Sequence, residues 1–270
     1  MVFPGQGTVG GETTGAARDA ALAYVGDEAV PYQLSVFAGS LDLLYCLREA
    51  GIRPDVVAGH SLGEYAAAQA AGSLGLADGV RLVAERDRLM NAASGENPGG
   101  MIALIGADPD EVARATGEAQ GIVVAANFNT PRQTVVSGQI DALGEVAERV
   151  RGRKVKLEVS GAFHSPLMSR AAREMDALLG EVELEEPEIP MVGATDGAVL
   201  TTADEVRGAL RNQMLSPVRW VAVVERLLDL GVREILESGE DGTLTRMLRD
   251  FKRKDIEGRR AEEVLSWMRR

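Results

Sequence analysis

The stretch Val56-Val57-Ala58-Gly59-His60-Ser61-Leu62-Gly63-Glu64-Tyr65 restricts the fold of this chain more than any other. A short apolar run ends in Gly-x-Ser-x-Gly and passes straight into the helix-forming residues Glu64 to Ala71, which predicts a strand, a sharp turn and a helix. In so tight a bend a Cβ atom at Gly59 or Gly63 would collide with neighbouring backbone. Glycine at both places lets Ser61 adopt a strained conformation with its hydroxyl exposed above the sheet. The helix start also aims backbone N–H groups, that of Leu62 among them, at negative charge developing beside Ser61. A glycine-rich turn whose serine merely caps the helix would share the five-residue pattern. The longer Gly-His-Ser-Leu-Gly-Glu-Tyr is far more specific.

A nucleophile elbow of this kind needs a layered α/β parent, and the flanking periodicity supplies one. Val2-Phe3 reads as the end of a strand opening into the loop Gly5-Gln6-Gly7, while Thr8 to Val30 gives weak helical signals at best. From Tyr32 to Ala50 apolar residues recur at helical spacing and Gly51 follows as a stop. Beyond Asn97 the pattern changes. Met101 to Ile105, Ile122 to Ala126, Thr134 to Ser137 and Val155 to Val159 read as strands, with helices over Pro109 to Thr116 and Ile140 to Val150. That β-α-β-β-α-β order is the ferredoxin-like module, whose ends lie close enough for insertion into another domain. The expected fold is therefore α/β: an α/β-hydrolase-like parallel-sheet domain, residues 1–97 and 161–270, with an inserted ferredoxin-like subdomain at 98–160. After the insert come helices over Leu167 to Leu179, Asp204 to Gln213 and Val218 to Leu230, strands at Pro190 to Gly193 and Glu234 to Glu237, and a final basic helical segment.

The helix expected over Leu76 to Ala93 carries an anomaly. The helical neighbours of Arg86 are Leu82, Val83, Leu89 and Met90, all apolar, so Arg86 points inward. A cation on an apolar face is costly unless it meets an anion; Arg86 either pairs with a carboxylate of this chain or awaits one on a ligand.

A serine nucleophile needs a base, and the sequence holds two histidines. His60 adjoins Ser61 inside the elbow, where consecutive side chains diverge, which leaves His164 at the return from the insert. A second oxyanion donor should come from a loop at the same end of the sheet, pairing Gln6 N–H with Leu62 N–H. No Gly-x-Gly-x-x-Gly follows a strand and no His, Cys and carboxylate cluster has metal spacing, so neither a nicotinamide cofactor nor a metal is expected. A formal charge of -12 argues against a general nucleic-acid binder. The single Cys46 excludes an internal disulfide, and no apolar run reaches membrane-spanning length. Met1 to Gly5 lacks signal-peptide character, which makes the cytoplasm the simplest location.

Phe3-Pro4-Gly5-Gln6-Gly7, Gly59-His60-Ser61-Leu62-Gly63-Glu64-Tyr65, Glu85-Arg86-Asp87-Arg88-Leu89-Met90, Asn127-Phe128-Asn129-Thr130-Pro131, Gly161-Ala162-Phe163-His164-Ser165-Pro166 and Ser216-Pro217-Val218-Arg219-Trp220 follow in that order. Together they resemble malonyl-CoA:acyl carrier protein transacylases, including the freestanding acyltransferases of polyketide synthases. The resemblance implies malonyl transfer from malonyl-CoA to the phosphopantetheine thiol of an acyl carrier protein, without a cofactor beyond the coenzyme A thioester. It implies Ser61 as nucleophile, His164 as base, Gln6 and Leu62 as oxyanion donors, and Arg86 as ligand of the malonyl carboxylate, with His60, Phe163 and Asn129 also at the substrate. It further implies that a backbone carbonyl near the last strand, within Ser238 to Glu240, orients His164. Carrier proteins are usually acidic, so Arg151, Arg153, Lys154 and Lys156 form a candidate docking patch and Arg246, Arg249, Lys252, Arg253 and Lys254 a second, unless both are ordinary solvated faces. Departures from the family pattern are Thr8-Val9 after the glycine loop, a short stretch before the elbow, and Gly239-Glu240-Asp241-Gly242 after the last strand. A serine hydrolase acting on acyl thioesters would share the elbow, but would want its histidine near the C-terminal end.

Overall fold

Two sheets organise the chain, and the elbow sits where they meet. The computed structural model describes residues 1–5, 14–239 and 241–268. Strand Val2–Phe3 pairs in parallel with Val57–Gly59 on one side and with Glu234–Glu237 on the other. Met191–Val192 extends the sheet beyond the elbow strand and Glu257–Arg260 extends it at the other end, both parallel. Val199–Leu200 closes one edge in antiparallel pairing. Val2, Phe3, Val57, Ala58, Met191, Val192 and Ile235 are all buried, as strands covered on both faces must be. The helix Tyr32–Glu49 lays Leu34, Phe37, Leu41, Leu44 and Leu47 into the core. Each such side chain contributes roughly 1.5–3 kcal/mol on burial.

The elbow obeys its steric logic. Strand Val57–Gly59 gives way to helix Gly63–Ala70 within three residues, and Ser61 takes φ 54°. A Cβ at Gly59 would lie 2.1 Å from the Gly63 carbonyl carbon, and one at Gly63 would lie 2.1 Å from the Phe3 carbonyl oxygen. Both are impossible without moving backbone.

Between residues 100 and 156 an antiparallel sheet runs in the order Val123–Thr130, Gln133–Gly138, Gly100–Ile105, Arg153–Lys156. Its helices, Pro109–Glu118 and Ile140–Arg149, cover one face through Leu104, Val112, Val136, Leu143 and Val146. Alternation along the strands turns Met101, Ala103 and Val135 to the opposite face, which joins the main core and borders the cleft above Ser61. Backbone hydrogen bonds tie it down: Phe128 N–H donates to Val218 O (2.7 Å) and Val218 N–H to Ala126 O (2.8 Å).

Three local expectations are corrected. Ala16–Val25, weakly helical by composition, forms a helix because Asp42 from the next helix accepts hydrogen bonds from Ala17 N–H (2.9 Å) and Arg18 N–H (3.1 Å) at its otherwise unbonded start. The strand expected over Val155 to Val159 is displaced to Arg153–Lys156, since pairing with Ile102 to Ile105 sets its register. The segment after Gly242 is not one basic helix. It forms a short helix, Thr243–Met247, then the edge strand Glu257–Arg260, then a helix, Ala261–Met268, with acids in its first turn. Among the described residues no helix is long and apolar enough to cross a membrane.

Candidate active site

Ser61 Oγ lies 2.8 Å from His164 Nε2, across a sequence separation of 103 residues. On the far side of the ring, Nδ1 donates to the backbone carbonyls of Gln213 (2.8 Å) and Ser216 (3.1 Å). A carbonyl can only accept, so Nδ1 carries the proton and Nε2 presents its lone pair to the serine hydroxyl. This corrects the expected orienting carbonyl. Of the expected stretch, Ser238 donates its Oγ to Ser40 O (2.6 Å) and Glu240 lies outside the described residues, while the preceding Glu237 accepts from Leu244 and Thr245 at the start of the following helix. Gln213 ends the helix Ala203–Asn212, where the carbonyls of the last turn lack helical partners and are available to the imidazole. His164 itself takes φ 56°, so nucleophile and base both occupy the left-handed region. Burial, with the Arg86 charge second, lowers the His164 pKa to about 4, which keeps Nε2 a neutral acceptor at physiological pH.

Arg86, from the helix Leu76–Glu96, is wholly buried. Its Nη1 donates to Gln33 Oε1, and its Nη2 to Ser61 Oγ (3.2 Å) and Gln213 Oε1 (3.3 Å). The Tyr65 ring centroid lies 5.9 Å from the guanidinium carbon. All these acceptors are neutral, Nε has no hydrogen-bond partner, and no carboxylate among the described residues forms an ion pair with it. Of the two readings left open by the sequence, pairing with an internal carboxylate is therefore not the one realised in the described structure. Burial lowers the Arg86 pKa, and an arginine remains cationic regardless.

Behind this pair stands a carboxyl group. Glu64 is fully buried; its Oε1 accepts from Ala194 N–H (2.8 Å) and its Oε2 from Gln213 Nε2 (3.0 Å). Desolvation raises its pKa to about 8 against the Ala194 hydrogen bond and the Arg86 charge, so the carboxyl is largely protonated at neutral pH.

Of the remaining sequence-derived residues His60, Asn129 and Phe163 line, with Ser61 and His164, a cleft of about 840 Å³. Leu62 immediately precedes helix Gly63–Ala70, where its N–H has no intrahelical acceptor. Gln6 lies outside the described residues. Its neighbour Gly5 borders the cleft and runs so close to the elbow that a Cβ there would meet His60 O at 2.6 Å. His60 points away from the serine: Nε2 donates to Asn129 Oδ1 (2.9 Å), Asn129 Nδ2 donates to Gln133 Oε1 (2.9 Å), and the His60 ring lies 5.5 Å from that of Trp220. His60 and Asn129 thus form a polar wall of the cleft, and Phe163 an apolar one. Arg151, Arg153, Lys154 and Lys156 are all exposed, on and beside the edge strand whose continuation, Leu157 to Val159, lines the cleft. In the second basic group Arg253 is paired with Asp255, while Arg246 bonds the Asp241 carbonyl.

Sequence reading missed Gln33, Gln213 and, as a site residue, Glu64. Helical periodicity, which turns Arg86 inward, also marks Gln213, which continues the buried stripe Val206, Ala209, Leu210. Gln33 likewise precedes the buried stripe Leu34, Val36, Phe37.

A nucleophile with a neutral base, set beside a buried cation, suits acyl transfer from an acid-bearing donor. Residues 27–270 match the acyl transferase domain family. Over 229 residues, 82% of this chain and 72% of the relative, the sequence is 34% identical to the malonyl CoA-acyl carrier protein transacylase of Bacillus subtilis (strain 168). The structure is similar to that of the malonyl-CoA:ACP transacylase of Synechocystis sp. PCC 6803, with TM-score 0.87, 30% identity, and 96% and 95% of the two chains covered. It is also similar to a malonyl-transacylase solved in complex with its type II polyketide synthase acyl-carrier protein, with TM-score 0.87, 29% identity, and 96% and 94% covered.

Proposed function

The chain belongs to the acyl transferase domain family, and from that membership we propose that it moves a malonyl group from malonyl-CoA, through an ester on Ser61, to the phosphopantetheine thiol of an acyl carrier protein. The observation that carries the acyl-group assignment is the buried Arg86 guanidinium, 3.2 Å from the nucleophile and unmatched by any carboxylate among the described residues. Ser61 Oγ attacks the thioester carbonyl while His164 Nε2 takes its proton. The Leu62 N–H, with that of Gln6 as second donor, stabilises the oxyanion as the carbonyl carbon becomes tetrahedral. Collapse expels coenzyme A, whose thiolate receives the proton from His164, and leaves malonyl-Ser61. The carrier thiol then gives its proton to His164 and attacks the ester, and Ser61 Oγ recovers the proton as it leaves.

Throughout, Arg86 holds the distal carboxylate by its planar fork, a pairing a lysine would not reproduce. No cofactor takes part. The carrier protein meets the enzyme at Arg151, Arg153, Lys154 and Lys156 beside the cleft mouth, and the enzyme works in the cytoplasm in fatty acid or polyketide synthesis. The test is intact-mass spectrometry with peptide mapping after mixing with malonyl-CoA, followed by a chase with carrier protein. A malonyl adduct on Ser61 that transfers to the carrier is expected. Absence of the adduct, or quantitative release of free malonate with carrier present, overturns the proposal, the latter in favour of a serine hydrolase.

A further inference from the structure

A buried cation awaiting an anionic ligand needs neutral acceptors that are held in a fixed direction. In this chain one of those acceptors, the Gln213 amide, is itself held by Glu64, which forms no hydrogen bond with Arg86. Between the two stands the Gln213 amide, with Nε2 on Glu64 Oε2 (3.0 Å) and Oε1 on Arg86 Nη2 (3.3 Å). An amide has one donor end and one acceptor end. Reversed, it would aim its N–H groups at a guanidinium, which only donates, and its oxygen at a carboxyl oxygen. Glu64 is fixed in turn by the Ala194 N–H (2.8 Å), so the order runs from backbone to carboxyl to amide to guanidinium with each donor meeting an acceptor.

We propose that Glu64 is a positioning residue for the acyl-carboxylate site: by accepting the Gln213 amide it turns Gln213 Oε1 toward Arg86, and it does so without touching the guanidinium, which is left for the ligand. Direct contact would instead form a closed ion pair, and a malonyl carboxylate would have to displace its own kind. The imidazole is held by the Gln213 backbone carbonyl and not by its side chain, so reorienting the amide bears on Arg86 and spares His164. The inference rests on Arg86 being the ligand of the malonyl carboxylate.

A double-mutant cycle tests it, with the ratio of kcat/KM for malonyl-CoA to that for acetyl-CoA as readout. In Glu64→Gln the new amide turns a donor toward Gln213, Gln213 loses its fixed orientation, and the ratio falls by about tenfold or more. In a Gln213→Ala background no amide remains to be oriented, so the same Glu64→Gln exchange shifts the ratio by less than about threefold. An equal shift in both backgrounds, or none in either, overturns the proposal. If Glu64→Gln alone fails to fold, recovery of a folded protein on adding Gln213→Glu supports the pairing and failure to recover it overturns it. Arg86→Ala separates the premises: a ratio unchanged there refutes the reading of Arg86, whereas a fall there without one in Glu64→Gln refutes only the role of Glu64.

Discussion

Replacing Arg86 with alanine tests the acyl-group assignment most directly. The guanidinium is wholly buried and its partners Gln33, Ser61 and Gln213 are neutral, so in the variant a malonyl carboxylate would enter a closed site with no cation to meet it. Breaking a buried pair by removing one partner costs roughly 3–5 kcal/mol. That corresponds to a fall in kcat/KM for malonyl-CoA of roughly a hundred- to several-thousand-fold. An acetyl donor carries no such charge, and its kcat/KM should fall by about tenfold or less, from the lost Nη2 contact to Ser61 Oγ. A second readout is independent of substrate. Arg86 is the largest electrostatic influence after burial that lowers the His164 pKa, so its removal moves the acidic limb of the acetyl-transfer pH profile to higher pH. Urea denaturation of the same samples separates loss of fold from loss of function, because three acceptors are left unpaired. Equal losses on malonyl and acetyl donors in folded protein, with an unmoved acidic limb, would refute the reasoning and make Arg86 a structural residue.

Two further outcomes follow from the same geometry. His164 is buried neutral with a pKa of about 4 against an ordinary 6.5, so the unfolded chain binds its proton first as pH falls. The stabilisation is fully present above pH 6.5 and is lost between there and about 4; urea melts of wild type and His164→Ala should converge by roughly 3 kcal/mol over that window, and parallel curves contradict the assignment. Reversing Arg153 and Lys154 to Glu should lower kcat/KM for an acidic carrier protein by about tenfold at low salt, with the deficit shrinking as salt rises, while acylation of Ser61 by malonyl-CoA is unchanged. Unaltered carrier transfer would remove the edge strand Arg153–Lys156 from the docking surface.

Close spacing and periodicity along the chain made part of this protein legible before any coordinates. The glycines at 59 and 63 specify an elbow because a Cβ at either meets backbone at 2.1 Å, whatever the rest of the fold does. Arg86 shows its inward direction through the apolar residues three and four positions away. The strand and helix order after Asn97 defines the small sheet, since alternating and helical periods are local properties.

Tertiary structure alone decided what those residues meet. The carbonyl that orients His164 lies 49 residues away on a helix end, and the carboxyl behind Arg86 reaches it through an amide 149 residues from Glu64. The helix Ala16–Val25 owes its start to Asp42, and the terminal strand Glu257–Arg260 owes its pairing to Glu234–Glu237. A hydrogen bond between distant segments leaves no period in the sequence, because any donor or acceptor of suitable reach would satisfy it. Composition and spacing therefore determined the elbow, the insertion and the buried cation, while the folded chain determined the tautomer of the base, the neutral acceptors around the cation and the direction in which each faces.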